Sequence, residues 1–131
     1  MSGMIRACLA LSAAATLTVA GTAVAHAQPV PPCTYSLSAP VVVDNSVAAT
    51  VAPAECAWPA APGFSVACLQ LSGTASPTTC MQSHGRDSAQ VLLAPYVPGA
   101  SYTATGRGCG RWVGQPPAHL CQQLGPVSAT L

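Results

Sequence analysis

The sequence contains no lysine, and charged residues of any kind make up only 5% of its 131 positions. Beyond residue 27 the charges are Arg86, Arg107 and Arg111 against Asp44, Glu55 and Asp87, a formal balance of zero. This scarcity removes whole classes of function. Nucleic-acid binding draws its affinity from neutralising several phosphates, and no basic stripe is available to do so. A polybasic membrane-binding patch is missing for the same reason. Hydrolysis by paired carboxylates needs two acids flanking one bond, whereas the three acids here fall in separate segments. Long helices are excluded too. All 13 prolines follow residue 27, as do all glycines except Gly3 and Gly21, and they interrupt the chain too often for helical turns to accumulate.

What is present begins with an export pattern. Arg6 is the only charged side chain in the opening segment, and Ala7 to Ala25 carries no charge. A short basic stretch before an uncharged apolar run is the form of a secretory signal peptide. Ala25-His26-Ala27 supplies the small side chains that signal peptidase requires, as does Ala23-Val24-Ala25, and cleavage is expected after Ala27. The run is long enough to span a bilayer if left uncleaved, but Ala, Thr, Ser and Gly insert weakly. Cys8 precedes the run and Cys33 lies behind Pro29, Pro31 and Pro32, so neither is placed to carry a lipid anchor. The expected organisation is a cleaved signal peptide over 1–27, an extended, poorly ordered lead-in over 28–33 and one domain over 34–131. The product is a secreted, extracellular or envelope-associated monomer with no stable membrane anchor.

Six cysteines remain after cleavage: Cys33, Cys56, Cys68, Cys80, Cys109 and Cys121. An even count in a short exported chain reads as three disulfides, for which fifteen connectivities exist. We take the sequential pairing of Cys33 with Cys56, Cys68 with Cys80 and Cys109 with Cys121 as the expectation, the others staying open. Each bond would close a short loop and contribute about 2–4 kcal/mol. The alternative, a metal at Cys80-x-x-x-His84 or His119-x-Cys121, lacks the paired spacing of structural zinc modules. No metal or cofactor is expected.

Between the prolines and glycines lie short runs rich in Val, Thr, Leu and Tyr: 34–38, 47–51, 64–71, 78–81, 90–94, 101–107 and 127–131. About seven such runs predict an all-β, two-sheet antiparallel sandwich. From Tyr102 onward, Tyr102, Ala104 and Gly106 alternate with Thr103, Thr105 and Arg107, the pattern of a strand with one buried face. Gly106, Gly108 and Gly110 then read as a bend at that strand's end rather than a phosphate cradle, because no helix follows to receive the anion. Pro126 to Leu131 would be the closing strand.

One segment is more specific. After the apolar run Val91 to Leu93, Tyr96-Val97-Pro98-Gly99-Ala100-Ser101-Tyr102 resembles the E-to-F corner of fibronectin type III domains, within the wider immunoglobulin-like class. The resemblance implies a tyrosine corner made by Pro98, Gly99 and Tyr102. In it Pro-Gly turns the chain, the tyrosine ring enters the core, and its hydroxyl satisfies a backbone group upstream. The early-strand tryptophan of such domains would fall to Trp58. Three disulfides depart from that family's habit. An antibody-type bond from Cys56 to Cys109 fits poorly, since Tyr102 stands too far before Cys109.

Four segments could carry function. Ser83-His84-Gly85-Arg86-Asp87-Ser88 gathers a base, a cation, a carboxylate and hydroxyls, but catalytic triads draw their members from separate parts of a fold, and this run reads as a solvated turn. Its Gly-Arg-Asp order is not the Arg-Gly-Asp of integrin recognition. Gly63-Phe64-Ser65-Val66-Ala67 partly matches a nucleophile elbow but lacks the second glycine and the following helix. The Cys109 to Cys121 segment is the best candidate contact, with Arg111, Trp112, Gln115 and His119 as binding residues. Arg and Trp are enriched at binding hot spots, and a disulfide with Pro116 and Pro117 lowers the cost of ordering. The expected function is a non-catalytic binding or adhesion module for an extracellular protein or glycan. A second reading is an inhibitor of extracellular hydrolases presenting Met81 on a loop Cys80-Met81-Gln82-Ser83, and a third is a small secreted enzyme.

Overall fold

Alternating small apolar and polar residues, cut into segments by proline, form strands and no helix among the described residues. The computed structural model describes Gly21 and residues 30–73, 76–115 and 119–131. Apart from Gly21, the expected signal peptide lies outside the described residues, as do Gln28 and Pro29. Among the described residues eight strands form two antiparallel sheets: β1 (Cys33–Leu37), β2 (Val41–Val43), β3 (Ser46–Cys56), β4 (Ala60–Leu71), β5 (Thr79–His84), β6 (Ala89–Leu93), β7 (Ser101–Trp112) and β8 (Leu120–Thr130). In one sheet β1 and β2 run along one edge of β3, and β6 pairs with its other edge. The other sheet has the order β5-β4-β7-β8.

The inner faces follow the period of two that strands impose. Val47, Ala49 and Val51 of β3 and Ala89 and Val91 of β6 meet Ala67 and Leu69 of β4 and Tyr102 and Ala104 of β7 in one buried cluster. Full burial of a Val or Leu side chain contributes about 1.5–3 kcal/mol. Val47, Val51, Leu69 and Val91 are among the largest side chains to achieve it.

The strands run further than their sequence pattern suggests. Glycines 106, 108 and 110 do not form a bend. β7 continues straight past them to Trp112, and all three lie on its buried face. A side chain at Gly106 would overlap Val51, one at Gly108 would overlap the Tyr35 ring, and one at Gly110 would stand 2.7 Å from Cys33 Sγ. The glycines form a groove in β7 into which the opposite sheet settles. Proline is likewise tolerated inside strands at irregularities. Pro62 adjoins the register shift in the β4–β7 ladder, and Pro126 the one in the β7–β8 ladder. This is why β8 begins at Leu120 and not at Pro126. β2 is the strand the sequence pattern misses, a three-residue run between Pro40 and the turn at Asp44, whose φ is 53°.

The disulfides pair sequentially, Cys33 with Cys56, Cys68 with Cys80 and Cys109 with Cys121. Each joins residues directly opposite one another on neighbouring strands, β1 to β3, β4 to β5 and β7 to β8. Every bond therefore lies within a sheet. Among the described residues no disulfide joins the two sheets, which meet through side-chain packing and hydrogen bonds.

The chain turns after β6 through Val97-Pro98-Gly99-Ala100, where the Ala100 N–H donates to the Val97 carbonyl at 3.2 Å and Gly99 has φ 79°. Proline then glycine at the centre is the requirement of a type II turn. Tyr102, 1% exposed, accepts the Val97 N–H on its hydroxyl at 3.0 Å. Trp58 takes no part in the core. It is 92% exposed, which corrects the expectation that it would serve as a buried early-strand tryptophan.

Candidate functional site

Trp58 stands at one end of the sandwich because three segments fasten the turn that carries it. β3 ends at Cys56 and β4 begins at Ala60, so Ala57-Trp58-Pro59-Ala60 reverses the chain, closed by the Ala60 N–H donating to the Ala57 carbonyl at 2.6 Å. The Trp58–Pro59 peptide is cis, which places the proline where a type VI turn has it. The Ala57 N–H donates to the Pro32 carbonyl at 2.8 Å, and the Val113 N–H to the Pro59 carbonyl at 3.0 Å. The lead-in before β1 is thus fixed from Pro32, which is buried, while Val30 is exposed. The outcome is a large apolar ring held out in water on a firmly bonded support.

Beneath the indole lies a cleft of about 530 Å³, lined by Trp58, Pro53, Ala60 and Pro62 with one carboxylate, Glu55, and one guanidinium, Arg86. Arg86 arrives from the turn between β5 and β6, which the Gly85 N–H docks onto the Gly63 carbonyl at 2.9 Å. His84, at the end of β5, and Arg86 and Asp87 on that turn are all exposed. Ser83 and His84 end strand β5, paired with Ser65 and Phe64, so only 85–88 form the solvated turn, which contributes Arg86 to the cleft.

The residues expected to bind have different fates. Cys109 and Cys121 do close the β7–β8 hairpin, and Arg111, Gln115 and His119 are exposed. Trp112 is half-buried beside its register partner Ala60, so it is not the projecting anchor. His119 lies away from the Trp58 cleft, with its ring edge-on to Phe64 at 5.3 Å between centroids and packed over Gly63. Phe64 also receives the Arg107 guanidinium at 5.6 Å on the outer face of the β5-β4-β7-β8 sheet. Pro116 and Pro117 lie outside the described residues. On sequence alone Trp58 is assigned to the core, where tryptophan is usually found, and so is missed as a surface residue. The available signal was its position before a proline, two residues beyond the cysteine that ends β3, where a turn is required.

Two further segments are settled by burial and pairing. Ser65 is fully buried in mid-strand, where no substrate reaches it. Met81 is 53% exposed but belongs to strand β5, opposite Ala67 of β4. The Cys80 to Ser83 segment is therefore sheet, not the protruding loop expected for substrate-like inhibition.

Burial pushes the Tyr35 phenol upward, with the Gly63 backbone hydrogen bond pulling the other way, and the hydroxyl donates to the Cys109 carbonyl at 2.7 Å. That is a structural tether between the sheets, and Tyr35 does not line the cleft. Among the described residues no group of three or more His, Cys, Asp or Glu side chains is placed to hold a metal ion, and no helix is long and apolar enough to cross a membrane. No family model, curated protein or solved structure matches the chain.

Proposed function

We propose that this chain is a secreted, non-catalytic binding module whose contact surface is the end of the sandwich that carries Trp58. The observation that carries the reading is the 92% exposure of that indole on a turn fixed by three backbone hydrogen bonds. Exposing a tryptophan gives up the benefit of burying it, and a rigid support reduces the entropy lost when a partner covers it. Tryptophan and arginine are the side chains most enriched at binding hot spots, and Trp58 and Arg86 share one cleft here. Val113, 56% exposed, extends the surface on the neighbouring hairpin, with Arg111 and Gln115 beside it in sequence.

Export rests on the signal-peptide pattern of residues 1–27 and is supported by three disulfides, which persist in oxidising compartments. The resemblance to fibronectin type III domains belongs to the same proposal. It is supported by the Val97 to Tyr102 corner and by the strand order of the two sheets.

The test is binding of the purified oxidised protein to immobilised extracellular matrix proteins and to insoluble cell-envelope polysaccharides, alongside Trp58→Ala. Retention that Trp58→Ala reduces by about thirtyfold, with the far-ultraviolet spectrum unchanged, supports the reading. Retention that is equal for both proteins places the contact elsewhere and overturns it.

A further inference from the structure

The walls of the Trp58 cleft narrow the chemistry of what fits there. Pro53 and Pro62 both line it, and neither has a backbone N–H to offer. A peptide adding as an extra strand needs a run of free backbone donors and acceptors, which these prolines interrupt. A polyproline peptide needs a groove lined by several aromatic rings, and among the described residues Trp58 is the only aromatic ring lining this one. Nucleobases also stack on exposed rings, but the grooves that hold them are strongly basic. Here Arg86 is balanced by Glu55.

What remains is a ligand without net charge that has one flat apolar face and a rim of hydroxyls. We propose that the cleft binds a neutral pyranose ring of an extracellular polysaccharide, an inference that rests on the binding-module reading of this end of the sandwich. The ring's C–H face packs against the indole, whose π face is electronegative and attracts the slightly positive hydrogens. Glu55 accepts from one sugar hydroxyl, and Arg86 donates to another. Both side chains are exposed, so their hydrogen bonds set orientation more than affinity, and the indole supplies most of the grip. The cleft volume of about 530 Å³ falls in the ordinary range for small-ligand sites, and its open side leaves room for the polymer to continue.

The experiment is a titration with neutral hexasaccharides of glucose, mannose, galactose and N-acetylglucosamine, with a uronic acid hexamer as the charged comparator. It is read by calorimetry on the oxidised wild-type protein and by fluorescence on Trp112→Phe, in which Trp58 is the sole indole. The expected result is a saturable response to at least one neutral hexamer. Trp58→Ala should weaken it about thirtyfold or more, and Glu55→Gln or Arg86→Gln about fivefold to tenfold each. Preference for the uronic acid hexamer overturns the neutral assignment. No response to any hexamer at about 10 mM, while Trp58-dependent binding to an immobilised protein persists, overturns the sugar and leaves the binding-module reading standing. If no immobilised partner shows Trp58 dependence either, both fall together.

Discussion

Tyr35 of β1 lies directly over Gly108 of β7, so closely that a methyl group at position 108 would overlap its ring, and its hydroxyl bonds to the next residue's carbonyl, Cys109, at 2.7 Å. One side chain thus determines how near the sheets approach and ties them with a buried hydrogen bond.

Gly108→Ala should therefore be among the most destabilising small substitutions in the molecule. The added carbon meets a ring that is itself anchored at its far end, so relief requires the sheets to part. A loss of about 3 kcal/mol or more is expected, at the upper end for overpacking, and is measured by urea unfolding of the oxidised protein. A loss below about 1 kcal/mol would show that the sheets slide past each other readily.

The same tyrosine gives the protein an alkaline limit. Its folded-state phenol titrates above the ordinary value of 10.0, so the unfolded chain releases this proton first as pH rises. Stability from this group is complete below pH 10 and falls as pH climbs from there through the folded-state value. Chemical denaturation between pH 8 and pH 11.5 should show the decline in the wild type and a shallower one in Tyr35→Phe. That variant should also be about 1–2 kcal/mol weaker at neutral pH, because the buried Cys109 carbonyl loses its donor.

Ser65→Ala should be neutral or slightly stabilising. The hydroxyl is fully buried on the inner face of β4 and has no hydrogen-bond partner, so its removal abolishes a desolvation penalty and opens very little space. A shift of less than about 1 kcal/mol in either direction is expected from thermal or urea unfolding. A larger loss would reveal a buried water that the hydroxyl holds.

Reduction should proceed in a fixed order. Cys33 is 1% exposed and packed against Gly110 in the core, whereas Cys80 lies exposed on edge strand β5. Thiolate attack needs access to sulfur, so limited reductant followed by alkylation and peptide mapping should label Cys68 and Cys80 before Cys33 and Cys56. Early labelling of Cys33 would mean that β1 detaches from β3 more easily than its packing implies.

Much of this architecture was legible in the sequence, and the exceptions share a cause. Runs rich in Val, Thr, Leu and Tyr between prolines and glycines located the cores of the seven longer strands, because such side chains suit a pleated, half-buried surface. The sequential disulfide pairing follows where each short loop is a hairpin or a pair of neighbouring strands. Misreadings arose where one residue type serves two purposes. Gly106, Gly108 and Gly110 looked like a bend, yet their missing side chains make room for Val51, Tyr35 and Cys33, which come from distant parts of the sequence. Pro53 and Pro62 looked like strand ends, yet both lie inside strands. Trp58 and Trp112 differ by a property that no local pattern carries. Trp112 is half-buried on β7, paired in register with Ala60, whereas the turn at Ala57 to Ala60 leaves Trp58 exposed. The site is an arrangement of turns from opposite parts of the chain, and their meeting is a product of topology.

Because each disulfide stays inside one sheet, the molecule has an unusual mechanical character. A pull applied between β1 and the chain's end beyond β8 acts on opposite sheets, one strand at each point of attachment already stapled to its neighbour. The load then falls on the packed seam between the sheets, where Tyr35 crosses to Cys109. Once that seam yields, residues 34–55, 69–79 and 110–120 remain locked behind their crosslinks and contribute no length. Only the stretches between the loops pay out, so a module of this build tethering a surface to a polymer would give a short, abrupt extension and then hold taut.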